Sequence, residues 1–193
     1  MPRSSARAMW AAKLAGQAVS RPTTLPSVGN RKFTGRVLGI DPSLRGTGLS
    51  VVDFLRGEPK ALVYSRTLKL TQKYAFHACL GEIAKEVKVL LDAHGPDAVA
   101  AEETIYVQNF RTAQIMGAAR GAALGVVAAH GLSIAEYPPL RIKQAVCGFG
   151  RASKEQVQGQ VRALLKLADA LPSDESDAAA AAICHAFTFV VEE

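Results

Sequence analysis

The sequence predicts an α/β domain: a mixed five-stranded sheet flanked by helices. Three observations carry that expectation. Strand-like runs at 37–40, 49–54 and 61–70 follow one another closely enough to pair as an antiparallel meander. Two more apolar runs, 97–102 and 132–137, alternate with helix-length segments, the rhythm of parallel strands joined by crossovers. Only 6% of the residues are aromatic and 16 are glycine, a composition suited to helices packed closely on a sheet.

Each element has a local reason. The run 37–40 is short and wholly apolar, as a strand buried on both faces should be. Asp41 follows it directly, in "GIDPSLRGTG", where Gly39, Pro42, Gly46 and Gly48 shape the backbone. Ser43 and Gly46 are expected to affect only that turn. "GEPK" (57–60) turns the second strand into the third. Thr71 is placed to cap a helix reaching about 92, with Phe76, Leu80, Ile83, Val87 and Leu90 at helical spacing, before Gly95 and Pro96 stop it.

A long helix is predicted over 111–129. Gly117, Gly121 and Gly125 lie nearly on one face of it. Interior glycines weaken a helix by up to about 1 kcal/mol each, so the face needs a packing reason, either the sheet or a second helix in a homodimer. After the strand at 132–137 and Pro138-Pro139, two helices, 153–167 and 173–189, close the chain.

The 193 residues suit one domain of ordinary size, and no apolar stretch approaches the roughly 20 residues of a membrane span. Cys79, Cys147 and Cys184 show no CxxC or Cys/His ligand spacing and read as small buried hydrophobes of a reducing compartment. The expected location is cytoplasmic.

Net charge is +6, but Arg3, Arg7, Lys13, Arg21, Arg31, Lys32 and Arg36 face no acid before position 41. The first 40 residues therefore carry +7 and the remainder −1. We expect residues 1–35 to be a basic, disordered N-terminal extension and 36–191 to be the catalytic domain. An Arg- and Ser-rich import presequence or a start codon set too far upstream also fits the extension; a secretory signal does not, for want of an apolar core.

Asp41 and Glu102 each end an apolar strand. If those strands are parallel neighbours, both carboxylates project at one edge of the sheet. Asp174 and Asp177, in "SDESDAAAAAICH", are three apart on a predicted helix and share a face. Singly, each has an ordinary role as a cap, a solvated charge or a lysine partner. Together in one pocket they would raise one another's pKa unless cations lay between them. Magnesium, a hard ion bound through oxygen, suits such a set. Two ions about 3.5–4 Å apart are the arrangement that clamps the attacking and leaving oxygens of a phosphodiester.

Cations surround these acids. Lys143 follows the fifth strand and Lys154 opens a helix beside the loop "FGRASK", a setting for phosphate contact; Arg111 and Arg120 flank the long helix. Tyr106 and Phe110, after Glu102, either stack on unpaired bases, an interaction worth about 1–3 kcal/mol each, or anchor their loop to the core.

At these residues the chain resembles the RuvC family of Holliday junction resolvases, within the ribonuclease H-like fold. The matching segments are "GIDPSLRGTG", "AAEETIYVQN", "GAARGAA", "RIKQAVCGFG", "KEQVQGQVRALLKL" and "SDESDAAAAAICH", in the family's order over about 36–190. The resemblance implies that Asp41, Glu102, Asp174 and Asp177 are catalytic, metal-binding carboxylates. It implies two Mg²⁺ per active site, with Mn²⁺ an admissible substitute. Lys143 and Lys154 would lie near the cleaved strand, with Tyr106 and Arg111 as further DNA contacts. The implied partners are four-way junction DNA, a second copy of the chain and a branch-migration complex of the RuvA and RuvB type, with no membrane. One departure is that Ile105 stands where the family commonly has an aromatic wedge, with Tyr106 beside it.

Three rivals remain at this stage. A sugar-kinase phosphate loop begins similarly but needs a second domain for which 193 residues leave no room. A catalytically inactive junction binder of the same fold would have lost an acid, and none is missing. A related nuclease without junction selectivity differs only in dimer geometry, which spacing does not show.

Overall fold

A computed structural model describes residues 32–103 and 109–189. Most of the basic extension lies outside these residues, as do Ile105 and Tyr106. The first strand, β1 (Gly35–Asp41), pairs antiparallel with β2 (Gly46–Leu55), which pairs antiparallel with β3 (Glu58–Lys69). Helix α1 (Phe76–His94) leads to β4 (Ala98–Glu102), α2 (Phe110–Ala129) and β5 (Ile134–Tyr137). The chain closes with α3 (Pro139–Cys147), α4 (Lys154–Leu164) and α5 (Ser173–Thr188). The sheet order is β3-β2-β1-β4-β5, and β1/β4 and β4/β5 are parallel. The expected mixed five-stranded sheet flanked by helices is present.

Alternation along the central strands divides the core. Leu38, Ile40, Leu49, Val51 and Val99 pack under α1 and α2 with Ile83, Val87 and Val127. Val37, Val52, Ala98 and Ala100 face α3, α4 and α5 with Ile142, Val157, Val161 and the alanines 179–182. Because side chains two apart share a face, Asp41 continues the Val37 row and Glu102 the Ala98–Ala100 row. Both acids are thereby directed to the α5 side.

Helix α5 sits on almost bare backbone. A Cβ added at Gly39 would lie 1.9 Å from the Ala178 carbonyl oxygen, and one at Gly48 equally close to that of Asp174. Only glycine permits such an approach. On the opposite helix layer, a Cβ at Gly117, Gly121 or Gly125 would meet nothing within 4 Å. The buried positions of α2 are instead Ala119, Ala123, Leu124 and Val127, so packing on the sheet does not explain the glycine face.

Three boundaries differ from the sequence reading. Helix α1 starts at Phe76 behind Ala75, with no side-chain cap, so Thr71 is not its cap. Helix α3 was not expected: Pro138-Pro139 reads as a strand terminator, yet proline at the first helical position is favoured because its missing N–H would be unpaired there anyway. The packed domain also begins before Arg36. Phe33 is buried at 7% exposure against Phe54, His185 and Phe189, and its carbonyl accepts the Gly57 N–H at 2.7 Å.

Candidate active site

The parallel register pairs Ile40 with Ala101, so the next residues, Asp41 and Glu102, end adjacent strands on the same face. The first turns of α5 bring Asp174 and Asp177 towards them. A cleft of about 230 Å³ is lined by Asp41, Glu102 and Asp177, with Lys143 of α3 and Lys154 of α4 on its other wall. Pro139, Ile142, Val157 and Ala180 make its apolar floor. Three of the four predicted acids and both predicted lysines therefore share one cavity.

Asp174 is set apart from that lining. Its carboxylate lies over the β1–β2 turn, where Oδ2 is 3.1 Å from the position a Gly46 Cβ would take. Gly46 is thus not only a turn residue, as the sequence reading had it: a side chain there would press on Asp174. Ser43 holds the same turn, its Oγ accepting the Gly46 N–H at 3.0 Å and its carbonyl accepting the Thr47 hydroxyl at 2.6 Å.

The electrostatics show what the acids do to one another. Burial, followed by the charges of Asp177, Glu102 and Asp174, pushes Asp41 from 3.8 up to about 7, against a smaller lowering by Lys154. Burial likewise raises Glu102, with Asp177 adding to the effect and Lys154 and Lys143 opposing it. Lys154 Nζ bonds Asp177 Oδ2 at 3.1 Å. That bond, together with the charges of Asp177, Asp41 and Asp174, raises the Lys154 ammonium. The site carries more negative charge than its lysines neutralise.

Among the described residues, no three His, Cys, Asp or Glu side chains stand close enough to form a ready-made metal cluster. The donor set fits a divalent ion nonetheless. It is all carboxylate oxygen, held at strand ends and a helix start, and burial together with the neighbouring acids pushes Asp41 up to about 7.

Several supporting contacts were not evident from sequence. Arg120 of α2 donates from Nη1 to the Glu102 carbonyl at 2.5 Å, and its Nη2 pairs with Glu136 at 2.6 Å. It fixes the strand end that presents Glu102. Glu175, between the two α5 acids, bonds to β3 across the sheet. Arg111 is not at the cleft. It lines a separate groove with Phe76, Gln114, Ile115 and Ala118, between α1 and α2.

A sequence-family model described as crossover junction endodeoxyribonuclease RuvC matches residues 37–185. A crossover junction endodeoxyribonuclease RuvC from Halorhodospira halophila is 46% identical over 151 residues, spanning 78% of this chain and 89% of that protein. One from Alkaliphilus metalliredigens is 41% identical over 151 residues, spanning 78% and 92%. Among solved structures, T. thermophilus RuvC in complex with Holliday junction substrate superposes with a TM-score of 0.75 at 34% identity, covering 79% of this chain and 93% of that one.

Proposed function

The chain belongs to the RuvC family of crossover junction endodeoxyribonucleases, and we propose that it resolves four-way DNA junctions by hydrolysing one phosphodiester in each of two opposed strands. The observation that carries this reading is the single cleft in which Asp41, Glu102 and Asp177 face Lys143 and Lys154. The family depends on a divalent metal. Under our reading Asp41, Glu102, Asp174 and Asp177 hold two Mg²⁺ ions. When bound, such ions activate water and neutralise the charge developing on the phosphate.

The chain's own groups do the rest. Asp41 and Glu102 are presented by two adjacent buried strands, which restrict their movement. Lys154 is the counter-cation of Asp177 and, with Lys143, meets the phosphates of the incoming strand. The apolar floor of Ile142, Val157 and Ala180 keeps the dielectric low, so each charge acts more strongly than it would in water.

The exposed glycine face of α2 supports a homodimer, because a partner helix can approach it closely. A dimer places two cleavage sites on one symmetric junction. Contact with a branch-migration complex of the RuvA and RuvB type and a cytoplasmic location belong to the same proposal. The assignment is tested with a mobile synthetic junction and Mg²⁺. The natural chain is expected to give paired symmetric nicks, and Asp41→Asn to bind without cutting. Equal cutting by both proteins would overturn the catalytic assignment.

A further inference from the structure

Helix α5 carries two of the four acids, yet its first turn has no local anchor. Its N-cap position is Pro172, which makes no side-chain cap bond. The first turn is held from the other end of the sheet instead. Glu175 Oε2 accepts the Ser65 hydroxyl at 2.6 Å, and Oε1 accepts the Thr67 N–H at 3.1 Å and the Thr67 hydroxyl at 3.4 Å. The Glu175 carbonyl accepts the Ser50 hydroxyl at 2.8 Å. Three residues of β2 and β3 therefore grip one residue of α5.

We propose that Glu175 is a positioning residue that sets the rotation of α5 and so aims Asp174 and Asp177 at the metal site, an inference that rests on the nuclease reading above. Residues on a helix are spaced by about 100°, so Glu175 projects about 100° from Asp174 and further still from Asp177. It points to the sheet, whereas Asp177 lines the cleft and Asp174 lies over the β1–β2 turn. A carboxylate about 5 Å from the helix axis moves by more than ~1 Å when the helix turns by about 15°. Productive metal geometry tolerates about 0.5 Å.

The glycine seats fix how far α5 stands from β1 and β2, because Gly39 and Gly48 meet its backbone directly. Contact with bare glycine does little to prevent rotation. The Glu175 bonds supply that missing restraint. Glu175 is not among the residues that line the cleft, and its carboxylate bonds go to Ser65 and Thr67 of β3, so its action on the site is through α5.

The test uses the full chain with Glu175→Ala, Glu175→Gln and Ser65→Ala. Three measurements are made well below each protein's melting temperature: Mg²⁺ binding by calorimetry, junction binding in EDTA, and the Mg²⁺ concentration for half-maximal cleavage. We expect Glu175→Ala and Ser65→Ala to bind junction as the natural chain does. Both should weaken Mg²⁺ binding by about ten-fold or more, as loss of a ligand-orienting partner does, and shift the cleavage midpoint equally. Glu175→Gln keeps an acceptor for the Ser65 hydroxyl and should recover part of the loss. Should Glu175→Ala fail to fold, Ser65→Ala, a milder change, decides. Unaltered Mg²⁺ binding in the folded variants overturns the inference, even if their melting temperatures fall, and leaves the nuclease reading standing. A natural chain that itself neither binds Mg²⁺ nor cuts removes that reading, and the inference with it.

Discussion

Replacing Asp41 by asparagine should make the metal-free protein more stable at pH 8 while abolishing cleavage. In the folded chain the Asp41 carboxyl keeps its proton up to about pH 7, whereas the reference carboxyl gives it up near 3.8. Between those values the unfolded state binds fewer protons, so stability falls as pH rises from about 4 to about 7. A group raised in this way stabilises the fold at low pH and stops doing so above its folded pKa. The interval corresponds to about 4 kcal/mol at pH 8 and about 1 kcal/mol at pH 4.5. Asparagine removes the charge but buries an amide with few partners, which offsets about half of the gain. The net advantage at pH 8 is then about 2 kcal/mol, or roughly 4–8 °C for a chain of this size. The assay is thermal unfolding followed by circular dichroism in EDTA at both pH values, repeated with Mg²⁺. The advantage should vanish at pH 4.5, and Mg²⁺ at pH 8 should stabilise the natural chain more than the variant. A variant no more stable than the natural chain at pH 8, or a gap equal at both pH values, would refute the electrostatic account of the site.

Lys154→Ala should lower cleavage by about 100-fold or more while changing folding stability by less than about 1 kcal/mol, since its side chain is 72% exposed and exposed ion pairs contribute little; a large loss in urea melts would show a structural role instead. Gly39→Ala should destabilise the protein by about 3 kcal/mol or more, because the new methyl meets the Ala178 carbonyl rather than a movable side chain; near-normal denaturant midpoints would contradict the described seat of α5. Gly121→Arg should fold normally, there being open space at that position, and should run as a monomer by light scattering while the natural chain runs as a dimer. A dimeric variant would place the interface elsewhere.

What could be read from sequence depended on how local the cause was. Asp41 and Glu102 were legible because an acid directly after an apolar run is a local anomaly, and strand alternation then fixes its face. Asp174 and Asp177 were legible as a spacing on one helix. Glu175 was not: its partners Ser65 and Thr67 lie more than 100 positions away and are ordinary strand residues. In the sequence Arg120 is only a charge flanking α2, and its hold on the Glu102 carbonyl depends on how that helix crosses the strand end. Helix α3 was hidden by Pro138-Pro139, which can end a strand or start a helix, and tertiary packing chose both. Charge composition places the domain start near 36, and it carries no sign of the burial of Phe33 just before it. The shared face of Asp174 and Asp177 is legible as a spacing, but that Asp174 lies above Gly46 and not in the cleft lining depends on how α5 is seated on β1 and β2, which spacing does not encode.

The seating of α5 on Gly39 and Gly48 has a consequence for how such an enzyme can vary. Where helix and strand meet through main-chain atoms, no side chain remains there to be trimmed or enlarged by small steps, so this contact admits few graded alternatives. Adaptation of rate or substrate preference should therefore concentrate on the opposite wall of the cleft, where α3 and α4 carry Lys143 and Lys154 on surfaces free to change. Libraries that vary the exposed positions of 140–153 while keeping Lys143 and Lys154, and leave 39, 48 and 178–182 untouched, are the ones we expect to yield active variants with altered behaviour.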